Sequence, residues 1–264
     1  MKLAVLVLFP FLIFVGCKDA STDVTPPSPP QALSIFAGDN MVEVFWYPSQ
    51  DQDVAGYNVY VSASANGRYS FVGTTKQTHF IDQGSTNGTT YYYTVSAYDR
   101  SGNESTLSGE IVHATPRPEG FNVTLPDYHQ APDVAGYDFS TYTIGPYNDQ
   151  YTDVFFDQFN GSFYLDVWND TNIQDFGYTS SLDDITQAPL AGWSPTKDVR
   201  VIAGHTYIVQ TRSNHYAKLR IISVSLTNVV FDWAYQLQSG NFNLKTSASG
   251  GGSLSPGAGF ISRR

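Results

Sequence analysis

A chain of 264 residues has length for about two domains at roughly 150 residues each. Its formal net charge is −10 and it has no basic run, which argues against a nucleic-acid partner, because phosphate backbones are held by Lys and Arg. The local group Arg212, Lys218 and Arg220 reads as a solvated strand face. With one cysteine no disulfide framework can exist, and 18 Tyr and 17 Phe suit pleated sheets joined by tight turns.

Lys2 precedes an apolar run over residues 3–15, which ends in Gly16-Cys17-Lys18-Asp19. The run is too short to span a bilayer, which takes about 20 helical residues, but it fits a signal-peptide core. The ending "FVGC" resembles the lipobox of bacterial lipoproteins, with Phe14 standing where Leu is usual. That resemblance implies acylation at Cys17, stable anchoring at about 0.8 kcal/mol per buried methylene, and an outer-membrane lipoprotein of the cell envelope. An ordinary cleaved signal peptide, with no role for Cys17, is the alternative. Lys18-Asp19 resembles the lysine-plus-acidic export signal of some surface lipoproteins. Residues 1–16 are thus expected to be a signal peptide and residues 17–30 a lipidated Pro-rich tether in extended polyproline geometry.

From residue 31, short apolar alternations recur every 8 to 12 residues or so between turn signals, as in a β-sandwich. Strands are expected at "ALSIFAG", "MVEVFWY", "GYNVYVS", "RYSFVG", "THFID", "TTYYYTVSAYD" and "GEIVHATP". In the second, Val42, Val44 and Trp46 share a face, and Tyr91, Tyr93, Val95 and Ala97 do so in the sixth. These stretches, with "AGYNVYVS" and "NGTTYYYTVSAYDRSGNES", resemble the fibronectin type III family over residues 27–116. The resemblance implies that Trp46 is the core tryptophan and Tyr91 the corner tyrosine that ties the preceding loop to the sheet. In bacterial surface proteins such domains act mostly as spacers. The first domain is placed at 31–116.

"TPRPEG" marks a boundary, and residues 117–245 read as a second all-β, sandwich-like domain. Strands are expected at "GYDFSTYTI", "YTDVFFDQ", "GSFYLDVW", "VRVIAG", "TYIVQT", "YAKLRIISV" and "VVFDWAYQ". "SLDDITQAP" allows one helical turn capped by Ser181 and ended by Pro189. Residues 246–264, rich in Ser and Gly, are expected to form a disordered tail.

His205 and His215 invite a haem or metal reading. They enter the two strands of one hairpin from opposite ends, so about 3.3 Å per residue separates them by roughly 20 Å. One ion cannot take both, although either could pair with a histidine elsewhere, such as His129. The stretch "AGHTYIVQTRSNHYAKLRIISV…FDWAYQ" is similar in strand pattern to the C-terminal strands of HmuY-like haem-binding lipoproteins. That similarity implies a ligand-binding β-domain and transfers no ligand residue.

Asp166, Asp170, Asp175 and the pair Asp183-Asp184 suggest glycosidase or calcium chemistry, but neither carboxylate spacing in a cleft nor a complete calcium loop is legible; "NDTNIQD" reads as a solvated loop. No HExxH, GxSxG or phosphate-cradling glycine loop is present, so a non-enzyme is expected. The second domain carries more aromatics than a small core needs, and exposed Trp and Tyr planes stack on sugars. Trp193, in a loop between prolines, and Trp168 are the candidate contact residues. The expectation is a lipid-anchored envelope protein that binds a glycan or protein partner and uses its first domain as a spacer. A haem- or metal-scavenging lipoprotein and a ligand-free structural spacer are the alternatives.

Overall fold

Alternation with a period of two gives each strand one apolar face, and that face must be buried against another sheet. The computed structural model describes residues 23–244 and, as backbone, the strand Ser247–Ser253. The apolar run, Cys17 and the first residues of the tether lie outside the described residues, as do residues 254–264.

The first domain contains β1 (Gln31–Gly38), β2 (Met41–Tyr47), β3 (Val54–Ser62), β4 (Ser70–Thr75), β5 (His79–Asp82), β6 (Tyr91–Asp99) and β7 (Glu110–Ala114). One sheet has the order β1-β2-β5, and it faces a second that includes β7-β6-β3-β4. Val42, Val44, Trp46, Tyr57, Val59, Tyr93, Val95 and Ala97 meet between them as one core. This is a fibronectin type III-like β-sandwich. Trp46 is 3% exposed, with its ring edge-on to Tyr57 at 5.3 Å. Tyr91 Oη accepts the Thr86 backbone N–H at 3.0 Å, which joins the preceding loop to the sheet.

The second domain contains β8 (Glu119–Pro126), β9 (Gly136–Asp138), β10 (Thr143–Gly145), β11 (Val154–Phe159), β12 (Ser162–Asp166), β13 (Asn172–Tyr178), β14 (Asp198–Arg200), β15 (His205–Gln210), β16 (Tyr216–Val224) and β17 (Asn228–Gln236). Two five-stranded antiparallel sheets, β10-β9-β11-β12-β14 and β13-β15-β16-β17-β8, enclose a core that includes Phe139, Phe156, Leu165, Tyr207, Leu219, Phe231 and Trp233. Gly120 of β8 lies against the Trp233 indole, and a Cβ there would collide with its Nε1. Both domains are all-β, as expected.

Several local expectations change. "GYDFSTYTI" is a hairpin, β9 and β10, rather than one strand, because the chain reverses through Tyr142 at φ 62°. Residues 172–175, read as a solvated loop, open β13, which pairs with β15 through backbone bonds that need no apolar run. Part of the expected disordered tail is β18 (Ser247–Ser253), which pairs with β7 at the edge of the first domain; an unpaired edge supplies donors and acceptors whatever the side chains. The capped turn is present as a 3-10 helix, Leu182–Asp184, with Ser181 and Asp184 forming a capping box.

Lys218 is not on a solvated face, being 1% exposed. The turn at 182–184 and residues near Leu244 cover the outer face of β16. Its Nζ donates to the carbonyls of Leu182 at 2.5 Å, Ile185 at 3.0 Å and Leu244 at 3.3 Å. Arg117, in the segment between the domains, donates to Glu119 at 3.0 Å, Leu244 O at 2.6 Å and Asp183 at 2.8 Å. Burial, with the neighbouring Arg117 guanidinium, brings the Lys218 ammonium down to about 7.

Candidate functional site

Along β11, Val154 and Phe156 enter the core, so Phe155, Asp157 and Phe159 point to the opposite face of the sheet. Pairing aligns Asp157 with Tyr164 and Phe155 with Asp166 on β12. It then aligns Asp166 with Asp198, and Tyr164 with Arg200, on β14. Three carboxylates therefore share one sheet face, Asp166 directly opposite Asp198 and Asp157 diagonal to Asp166. They line an open groove of about 520 Å³ that also includes Phe159, Tyr164, Trp168 and Lys197.

One end of the groove is an aromatic shelf. Phe155 is only 7% exposed although it points outward, because Tyr128, Tyr147 and Trp168 surround it, with centroids at 5.5, 5.4 and 5.5 Å. Tyr147 and Trp168 are near-parallel, with centroids 6.4 Å apart, and the Trp168 indole N–H donates to Tyr147 O at 3.3 Å. That bond fixes the Trp168 plane, which remains 36% exposed at the rim.

The electrostatics of this face are unusual for an open sheet. Burial first, then the charges of Asp157 and Asp198, push the Asp166 carboxyl up to about 7, with His129 opposing. Asp157 is also raised, by burial and by Asp127 and Asp198, again against His129. Behind the shelf, His129 Nδ1 lies 3.1 Å from Asp127 Oδ1 and 3.4 Å from Asp157 Oδ1, and its ring lies tilted against Tyr128 with centroids 4.0 Å apart. Asp127, Asp157 and His129 offer three ligand atoms, all within 4.8 Å of one another. In a second close group, Asp23, Asp53 and Asp99, the Asp99 carboxylate braces its own turn, accepting from Ser101, from the Asn103 backbone and from the Asn103 side chain.

The expected site residues are dispersed. Trp168 lies in the groove. Trp193 is half-buried in a separate cluster with Ile208, Tyr216 and Leu244 on the outer face of the other sheet, where it stacks on Tyr216 at 6.5 Å. His205 and His215 occupy opposite ends of the β15–β16 ladder. His205 meets Asp175 at 3.0 Å and sits edge-on to Tyr178 at 4.4 Å, while His215 meets Ser213 Oγ at 2.9 Å. Of the three histidines considered, His129 alone is in a group of three close ligands among the described residues. Of the acidic residues singled out from sequence, Asp166 enters the groove. Asp175 pairs with His205, Asp183 with Arg117, and Asp184 caps its turn. Nothing in the local sequence distinguishes Asp127, Asp157 and Asp198 from other acidic residues. The alternation of Phe155, Asp157 and Phe159 puts Asp157 on a mixed face without saying which strands adjoin it, and it does not reach Asp127 or Asp198.

No protein-family model matches the chain. An amylopullulanase of Thermoanaerobacterium thermosulfurigenes is 33% identical over 105 residues, 39% of this chain and 6% of that protein. An amylopullulanase of Thermoanaerobacter thermohydrosulfuricus is 36% identical over 116 residues, 41% of this chain and 8% of that protein. Exoglucanase B of Cellulomonas fimi is 33% identical over 106 residues, 39% of this chain and 9% of that protein. Among solved structures, a Fn3-like protein from Clostridium thermocellum is 30% identical, covering 32% of this chain and 88% of that chain at a TM-score of 0.28. The chain spans less than a tenth of the length of these curated relatives, and its similarity to them is to short segments of much longer proteins.

Proposed function

We propose that the chain is a non-catalytic, glycan-binding module of the cell envelope, held by lipid at Cys17 and spaced from the membrane by its fibronectin type III-like domain. The observation that carries this reading is the Tyr147–Trp168 shelf beside the Asp157–Asp166–Asp198 row on one open sheet face. A sugar ring presents C–H bonds to an aromatic plane and hydroxyls to acceptors at its edge, and this face offers both at adjacent positions. The groove is open along the sheet, which suits a chain of sugars better than a small enclosed ligand. The relatives named amylopullulanase and exoglucanase B support a carbohydrate setting, and the short share of their length that matches favours an accessory role over catalysis. The lipobox-like "FVGC" supports anchoring.

Affinity electrophoresis of the chain from Lys18 onward, through gels containing pullulan, amylose or a β-glucan, tests the reading. Retardation by at least one polymer is expected, with at least tenfold weaker binding for Trp168→Ala and a smaller loss for Asp198→Asn. Unretarded migration in every polymer would remove the glycan reading and leave a spacer.

A further inference from the structure

We propose that Asp127, His129 and Asp157 form a binding site for a divalent transition ion of the zinc class. The site joins the end of β8 to the outward face of β11 through the segment that follows Pro126. With metal–ligand bonds of about 2.1 Å, donor separations of 3.1 and 3.4 Å subtend about 95° and about 110° at a shared ion, the range of octahedral and tetrahedral centres. An imidazole among the donors disfavours calcium and magnesium, which take oxygen ligands, and suits zinc or cobalt.

A second observation points the same way. Asp157 Oδ1 is buried and makes no hydrogen bond among the described residues, although it lies 3.4 Å from His129 Nδ1. A protonated His129 does not resolve this, because Nδ1 carries one hydrogen and Asp127 Oδ1 is the nearer acceptor. A cation among the three donors would satisfy both carboxylates and take the imidazole as its neutral base.

The surroundings are those of a held ligand set. Asp127 is 2% exposed. Its Oδ1 also accepts the backbone N–H of Gln158 at 3.2 Å, and its Oδ2 accepts Gln130 Nε2 at 3.3 Å. These contacts orient the carboxylate as outer partners orient metal ligands. Tyr128 backs the imidazole ring. The His129 side chain is 48% exposed, which leaves an entry path and room for solvent in the remaining coordination positions.

The test is calorimetric titration of untagged, EDTA-treated protein, from Lys18 onward, with ZnCl2, and with CaCl2 in parallel. One equivalent of zinc should bind, with at least tenfold weaker affinity in His129→Ala and in Asp157→Asn and unchanged affinity in His205→Ala. Co2+ loading should give a visible d–d spectrum without a sulfur charge-transfer band, and both variants should abolish it. Asp157→Asn preserves shape, and its metal-free melting temperature separates loss of the site from loss of the fold. No zinc binding, zinc binding that survives both variants, or calcium bound in preference to zinc would each overturn the assignment. Glycan binding plays no part in these readouts, so a negative result here leaves the glycan reading to its own experiment.

Discussion

Asp166 on β12 and Asp198 on β14 are direct cross-strand partners and face the same groove. Like charges opposed in this way cost stability, typically up to about 1 kcal/mol. Asp157 adds a third carboxylate diagonally. A fold keeps such an arrangement when something outside the sheet uses it, or when one member holds a proton.

The proton can be followed by pH. The Asp166 carboxyl titrates near 7 in the folded chain and near its ordinary value of 3.8 when unfolded, so the folded state binds more protons between those limits. Asp153, buried beneath β9 and also pushed up to about 7, acts in the same direction. The contribution of these two carboxyls to stability should therefore be full below about pH 4 and fall as pH rises towards 7. Asp166→Asn should flatten part of that fall, by on the order of 1 kcal/mol, because the open groove screens the full value of the shift. Urea denaturation of both proteins at pH 5 and pH 8 would show it; equal slopes with pH would mean that Asp166 is ionised throughout.

Arg117 should be among the least tolerant positions. Its three bonds tie Glu119, Asp183 and Leu244 O together at the junction of the domains, and the Glu119 side chain is 8% exposed. Arg117→Ala leaves that carboxylate buried without its partner, a loss of about 3–5 kcal/mol by comparison with other broken buried pairs. Chemical denaturation should register it, and Arg117→Ala/Glu119→Gln should recover part of the loss.

Trp193 and Trp168 should separate cleanly. Trp193→Ala opens the small cluster around Tyr216 and Ile208 and should cost about 1–2 kcal/mol with polysaccharide retardation unchanged. Trp168→Ala should do the reverse, losing retardation with a smaller change in melting temperature. Loss of retardation with Trp193→Ala at constant stability would move the contact surface to the other sheet.

Cys17→Ala should abolish incorporation of labelled palmitate in a bacterial host and move the protein from the membrane fraction to the soluble one. Labelling that persists in the variant would place the lipid elsewhere; an unlabelled parent chain would leave the apolar run as an ordinary cleaved signal.

Much of the strand layout was legible because alternation is a local property. The seven strands of the first domain fall where "MVEVFWY" and its neighbours place them, and β16 coincides with "YAKLRIISV". Strands held mainly by backbone pairing were not legible: β13 has Asp175 and Gly177 within it, and β18 reads "SASGGGS". Nothing in their composition distinguishes them from loop. Their partners, β15 and β7, decide the matter.

By itself, then, the sequence determined an all-β chain, since burying one face of each strand leaves few other solutions, while the fibronectin type III likeness of the first domain rested on its resemblance to that family's motifs. It also determined that His205 and His215 could not share an ion, because ladder length follows from residue count. Only the tertiary structure decided which aromatics are covered and which acids meet. Trp193 is half-buried because residues from elsewhere in the chain pack on that sheet. Asp157, Asp166 and Asp198 come from three strands whose neighbours are set by pairing, and His129 reaches Asp157 because β8 ends beside β11. Register between distant strands is a global choice of the folded chain, and it is register that builds this site.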